Sequence, residues 1–294
     1  MKRTSKEDRI FYAVNTVIMA FMVVVCVYPI LYVVFASFSD PSRIMAHSGM
    51  LWHSLGFNTA AYKEVLHNKM LLITYRNTIF YLIAGTAINM IISICGAYVL
   101  SRDDVKFKKV INIMVVITMF FSGGISPLYL TVRSYHMLDT VWALMIPQAI
   151  NTWNLIVMRT SFQAVPKSLE ESAIIDGAGE FVIMTRIILP LSKAILAVMA
   201  LFYGVGMWNA WFQASMFLRN RELYPLQLFL REVLINSSTD SMMTGSASAA
   251  SDRAAISETI KYATIVVSTL PILCAYPFLQ KYFVKGVMVG ALKG

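Results

Sequence analysis

The chain has 294 residues, 57% of them hydrophobic and only 14% charged, with a formal net charge of +9. So little polar surface excludes a soluble globular body of this length and places the chain in lipid. Basic residues flank the apolar runs instead of gathering in one domain, so the charge reports membrane orientation and argues against nucleic-acid binding.

The first apolar run, 10–38, follows Lys2, Arg3, Lys6 and Arg9. It is nearly twice the roughly 7–15 residues of a signal-peptide core, so it reads as a retained helix, although Ala36 stands where a cleavage site would. The loop 39–75 sets Pro41, Gly49, Trp52 and Gly56 among polar residues and is expected to cap the outer mouth, with a short helix over 59–67. Residues 78–100 make about 34 Å of helix at ~1.5 Å per residue, enough for a hydrocarbon core of about 30 Å. A short charged turn, 101–109, leads to the third run, 110–132, where Phe120 to Pro127 stack helix breakers at membrane depth. Such a break is tolerated where the freed backbone faces protein or water. Further runs are 140–158, 194–218 and 262–280, and the small polar residues within 219–261 read as a mobile loop. The expected architecture is all-α and polytopic, with six transmembrane helices. Residues 1–9 form a cytoplasmic N-terminus, 10–294 form one transmembrane domain, and both termini are cytoplasmic because basic density is then higher inside.

Cys26, Cys95 and Cys274 each lie in an apolar run, where a thiol packs as a small hydrophobe, so no disulfide framework is expected. His47, His53, His67 and His136 lack metal-ligand spacing. No phosphate-cradling G-x-x-x-x-G-K-[ST] occurs.

The segment 159–193 between the fourth and fifth runs reads as a lateral helix-turn-helix. Pro166 suits a first turn, Glu170 and Glu171 sit early where a helix dipole favours anions, and Gly177 is a left-handed stop. In the second helix, Phe181, Met184 and Ile188 fall at i, i+3 and i+7 and are expected to share one apolar face, with Pro190 beginning the return to the membrane. From these residues alone, a partner-docking hairpin and an amphipathic hairpin lying on lipid stay equally open.

The spacing within this segment is Glu171-Ser172-Ala173, three residues, Gly177, nine residues, Ile187, one residue, Leu189-Pro190. It resembles the EAA loop of the membrane-spanning subunits of bacterial ABC importers, with Ser172 replacing an alanine. The resemblance implies that Glu171, Ser172, Ala173, Asp176, Gly177, Ala178, Ile187, Leu189 and Pro190 couple the chain to an ATPase. Trp208-Asn209-Ala210-Trp211-Phe212, Tyr224-Pro225-Leu226 and the tail from Phe283 to Gly294 resemble the second permease subunit of maltose-type carbohydrate importers, near those for oligosaccharides and uronate-containing oligosaccharides. Implied with it are a multi-pass protein of the bacterial cell membrane with no catalysis or cofactor of its own, and four kinds of company. These are a second homologous permease, two ATPase subunits that hold ATP and Mg, an extracytoplasmic solute-binding protein, and membrane lipid.

The second to sixth runs contain no Asp, Glu, Lys, Arg or His, although ion-coupled carriers keep such groups inside the membrane, so the driving energy is expected from outside the chain. A membrane enzyme is not supported, because no His, carboxylate or nucleophile constellation gathers near a run's end. Candidates for a sugar path are Asn151, Trp153 and Asn154 in the fourth run and Trp208, Asn209, Trp211 and Gln213 in the fifth. Aromatic faces and amides match the CH faces and hydroxyls of sugars. On one continuous helix Trp208 and Trp211 would share a face, with Asn209 and Gln213 on the adjoining one. The same residues suit interfacial anchoring or helix–helix hydrogen bonding. Arg219, Arg221, Arg231 and Arg253 read as solvated charge, balanced by Glu222, Glu232, Asp240 and Asp252. The implied function is import of a carbohydrate, an acidic oligosaccharide included; a permease for amino acids or peptides is the alternative.

Overall fold

The structure is a computed structural model that describes residues 6–243 and 257–274, and every regular element among these is helical. The motif from Phe283 to Gly294, Arg253, Asp252 and the end of the sixth run, 275–280, lie outside the described residues, as do the side chain of Asp240 and the small-residue stretch 245–250.

Two compact units divide the chain. The first, drawn from 1–69 and 232–271, contains α1 (Lys6–Ser37), α2 (Pro41–Ala46) and α3 (Ala60–His67). Most apolar side chains of α1 are exposed, as a lipid-facing helix requires. The loop after it is folded: Asp40 caps α2 by accepting from the Ser42 and Arg43 N–H groups, and Leu51 is buried with its N–H donating 2.9 Å to Tyr28 Oη. Phe38 stacks between Phe57 and Tyr62, at 5.7 and 4.8 Å between ring centroids. The short helix expected at 59–67 is α3, with Thr59 at its N-cap position.

The second unit, 70–231 and 272–294, carries the elements that follow, up to residue 231. Most of the helix Leu226–Met243 and of the helix at 257–274 belongs to the first unit, so both of these helices occupy parts of the stretch 219–261 that was expected to be a loop. Its spine is α4, one helix over Lys69–Ser101, which begins nine residues ahead of the apolar run and holds a π-helical turn at Tyr81–Gly85. Then follow α5 (Lys108–Phe120), α6 (Ile125–Ser134), α7 (Trp142–Met145), α8 (Thr152–Gln163), α9 (Lys167–Ile175), α10 (Glu180–Leu191), α11 (Lys193–Trp208) and α12 (Trp211–Phe217). Of these, α5 and α6 meet at a 115° bend across the expected break, and α10 and α11 meet at 86°. Two further expected runs are not single helices. In 140–158, Pro147 cannot donate to a continuing helix, and α8 starts afresh behind Asn151, whose Oδ1 accepts from the Asn154 N–H. In 194–218, α11 ends at Trp208 and α12 begins at Trp211.

The α4–α11 crossing is close because both helices present glycine there. A Cβ on Gly85 would stand 2.8 Å from Met207 Sδ, and one on Gly204 would stand 3.3 Å from Leu82 Cδ1. One apolar core gathers Ala97, Tyr98, Leu155, Met158, Phe162, Ile183, Ile188 and Met199, joining the end of α4 to α8, α10 and α11. Tyr224-Pro225-Leu226 packs at the other end of α4. Asn77 Nδ2 donates to the Glu222 and Tyr224 carbonyls, Tyr81 Oη donates to the Leu223 carbonyl, and the Leu226 N–H donates to Thr78 Oγ1.

Candidate functional site

The hairpin α9–α10 is built from a short helix, a glycine turn and a bent second arm. Pro166, with φ −59° and ψ 126°, precedes α9, and its carbonyl accepts from the Leu169 N–H at 3.2 Å. The turn is a Schellman closure. Gly177 takes φ +82°, its N–H donates 3.0 Å to the Ile174 carbonyl, and the Ala178 N–H donates 2.9 Å to the Ala173 carbonyl. Ala173 and Ala178 pack together against the core, so small residues are wanted where the two arms close. Glu171, Ser172 and Asp176 remain exposed.

The second arm departs from the expected face. Met184 and Ile188 are buried, but their partner is Ile183, and Phe181 is 72% exposed. Met184–Ile188 forms a π-helical turn, in which residues five apart are stacked, so Ile183 and Ile188 point the same way and Phe181 is rotated outward. The π turn also accommodates Pro190, which lies within the helical run; the return to the next helix begins at Ser192, two residues later than expected. Ile187 and Leu189 are half-buried. Leu169, Ile174, Ile175 and Phe181 are left exposed on the hairpin.

Charged groups fasten the hairpin from beneath. Arg102, immediately after α4, pairs through Nη1 with Glu170 of α9 and through Nη2 with Glu180 Oε1 of α10 at 3.3 Å. Tyr98 Oη donates to Glu180 Oε2 at 2.5 Å, and the guanidinium carbon lies 5.5 Å from the Tyr98 ring centroid. Asp103 receives Lys108 Nζ at 2.8 Å and pairs with Lys167. Its hydrogen bonds to Lys108 and then Lys167 hold its carboxyl down at about 2. Ser101, Arg102, Gln163, Glu171, Ile174 and Glu180 are among the residues lining a cavity of about 480 Å³ here. Sequence reasoning missed Tyr98, Arg102 and Glu180 as members of this site. No local pattern marks them, because Arg102 lies 68 and 78 residues from its two partners.

The seven candidate path residues do not form one group. Asn154 is buried, while Asn151 is exposed; the Asn151 N–H donates 3.2 Å to Tyr203 Oη, which shares a hydrogen bond of 2.6 Å with buried Ser93. Trp153 is 56% exposed and Trp208 is buried. Because the chain leaves the helix at Asn209–Ala210, Trp208 and Trp211 do not share a helix face as expected. Exposed Asn209 turns its Nδ2 to the Val205 carbonyl at 3.0 Å, and Gln213 is half-buried. Trp211 is half-buried beneath Arg231, whose guanidinium carbon is 4.0 Å from the ring centroid. A polar stripe of Thr86, Asn89 and Ser93 along α4, at i, i+3 and i+7, was legible in the sequence but not singled out; Asn89 and Ser93 are fully buried.

Residues 109–289 match the family model described as binding-protein-dependent transport system inner membrane component. Protein LplC of Bacillus subtilis (strain 168) is 38% identical over 290 residues, covering 99% of this chain and 97% of that protein. The polygalacturonan/rhamnogalacturonan transport system permease protein YtcP of the same organism is 37% identical over 291 residues, covering 98% of this chain and all of that one (100%). A chain from the crystal structure of a bacterial ABC transporter involved in the import of the acidic polysaccharide alginate superposes with a TM-score of 0.85. It is 32% identical, and the match covers 96% of this chain and 100% of that one.

Proposed function

We infer, since this chain belongs to the family of binding-protein-dependent transport system inner membrane components, that it is the permease subunit of an ABC importer carrying an acidic oligosaccharide into the cytoplasm. The chain is a transport permease and not an enzyme, seated in the membrane by its apolar helices. The observation that carries the coupling role is the hairpin. A Gly177 turn closed by two backbone hydrogen bonds holds Glu171, Ser172 and Asp176 outward beside exposed Leu169, Ile175 and Phe181. That surface suits a protein cleft with apolar and polar walls, here one on each of two ATPase subunits that hold ATP and Mg. Ala173, Ala178, Ile187 and Leu189 shape the hairpin from within, and exposed Pro190 lies in its last helical turn. A second homologous permease and an extracytoplasmic solute-binding protein complete the complex, with six spans and both termini in the cytoplasm.

The acidic substrate is supported by likeness to a polygalacturonan/rhamnogalacturonan permease and to an alginate importer. Chemistry on this chain agrees: Arg231 over Trp211 sets a cation and an aromatic surface together, as a sugar bearing a carboxylate would need. Exposed Asn151, Trp153 and Asn209 with half-buried Trp211 and Gln213 would line the path, and buried Asn154 and Trp208 would support them. The test is uptake by the complex reconstituted in vesicles with its binding protein. Oligogalacturonate or alginate oligosaccharide should enter and stimulate ATP hydrolysis, whereas neutral maltooligosaccharides, amino acids and peptides should not. Uptake of one of the latter in place of the acidic sugars would overturn the assignment.

A further inference from the structure

We propose that Arg102 is a positioning residue of the transport cycle, the joint through which movement of the hairpin reaches α4 and so the membrane path. The apolar core already joins these elements, but dispersion contacts are non-directional and allow packed surfaces to slide. A guanidinium fork fixes register instead, because its donors diverge in one plane toward carboxylates on two sides. Arg102 uses that fork across the two arms, with Glu170 in the first turn of α9 and Glu180 in the first turn of α10. Both carboxylates sit where the helix dipoles favour anions, so the arms present matched acceptors to one cation. Backbone continuity does the rest: the Arg102 N–H donates 3.3 Å to the Val99 carbonyl, so the cation is anchored on the last turn of α4. Tyr98, one turn earlier, holds Glu180 from the same helix.

Burial separates this joint from ordinary surface charge. The Arg102 side chain is 12% exposed and that of Glu170 is 19% exposed, while Glu180 is 57% exposed but held by Tyr98; Lys167 and Asp103, which make a parallel tie, are 71% and 63% exposed. Exposed pairs contribute little and reorganise freely, so Asp103–Lys167 cannot carry a defined displacement, while the sheltered Arg102–Glu170 prong can, with Glu180 fixed by Tyr98 as its second contact. Neighbouring glutamates thereby divide the work. Glu171 stays outward for a partner, and Glu170 turns inward to the latch.

Resting on the importer function proposed above, the latch is tested in reconstituted vesicles by the amount of oligosaccharide imported per ATP hydrolysed. Arg102→Ala should lower that ratio about tenfold, within the ordinary span of coupling between two sites, while the ATPase subunits still co-purify. Arg102→Lys should fall between Ala and wild type, since one ammonium cannot match both carboxylates in a fixed plane. A wild-type ratio in Arg102→Ala would overturn the proposal, as would loss of the ATPase from that variant, which would make Arg102 merely structural. If Arg102→Ala does not accumulate, Arg102→Lys decides, and a wild-type ratio there is equally fatal. A wild-type complex that hydrolyses ATP without importing sugar would instead end the importer reading, leaving no coupling for a latch to transmit.

Discussion

Replacing Gly177 isolates the backbone cost of the hairpin turn. A Cβ built there meets no atom within 4 Å, so nothing steric opposes a side chain and the penalty comes from φ +82° alone. For alanine that is about 1–2 kcal/mol, and for asparagine, which tolerates the left-handed region, less. Proline is worse, because its ring fixes φ near −65° and it has no N–H to give the Ile174 carbonyl; the Ala178 bond to Ala173 fails with the turn. Two lost hydrogen bonds at about 0.5–1.5 kcal/mol each, added to the backbone term, make roughly 2–5 kcal/mol. The nine residues of α9 are too few to hold a helix unaided, so this loss falls on the docking-competent conformation. At about 2 kcal/mol its population drops roughly 30-fold. Membrane insertion should persist, and ATPase recovered with the tagged permease should fall in the order Gly, Asn, Ala, Val, Pro. Recovery of ATPase at the wild-type ratio with Gly177→Pro would refute the reasoning.

Glu171→Lys should leave expression intact and reduce both uptake and binding-protein-stimulated ATP hydrolysis; unchanged values would remove Glu171 from the ATPase contact. Trp211→Ala, which also strips Arg231 of its aromatic support, should cost on the order of 1 kcal/mol in recognition, several-fold in apparent affinity for an acidic oligosaccharide, and Asn209→Ala should follow the same direction. If both import the sugar with unaltered affinity and rate, that segment is packing. Asp139 accepts from the Arg219 and Asn220 N–H groups at 2.9 and 2.8 Å, and these bonds, Asn220 first, lower its carboxyl; Asp139→Ala should destabilise the second unit by about 1 kcal/mol, read as a lower midpoint of thermal unfolding in detergent. The Asp103 carboxyl is depressed to about 2, so its tie to Lys108 and Lys167 is fully present above its ordinary value of 3.8 and is lost only as pH falls through about 2. Import should therefore show no transition between about pH 5 and 8 that Asp103→Asn abolishes.

What was legible in the sequence was local. The Gly177 turn closes over six residues, Ala173 to Ala178, so its chemistry sits in one short motif, and the helix at 59–67 likewise carries its own pattern. The long apolar runs of α1 and α4 follow from composition alone. Expectations failed where a helix departs from its usual period. A 3.6-residue repeat places Phe181 inward, and the π turn at Met184–Ile188 gives that place to Ile183. Hydropathy also cannot register a break that costs no apolar residue, as at Pro147 or Asn209.

The Arg102 site was illegible for a different reason, and it bears on how such a subunit is built. A cation just past an apolar run reads as a membrane-edge anchor, and that reading is complete in itself, with nothing asking for a partner. Only the fold supplies Glu170 and Glu180, from 68 and 78 residues away. The motif residues that meet a partner must keep a local geometry whatever the membrane helices do, so they are written contiguously. A joint between that motif and the membrane helices belongs to neither, and its members are necessarily dispersed along the chain. A sequence motif can therefore reveal where force enters this permease while concealing where it is handed on.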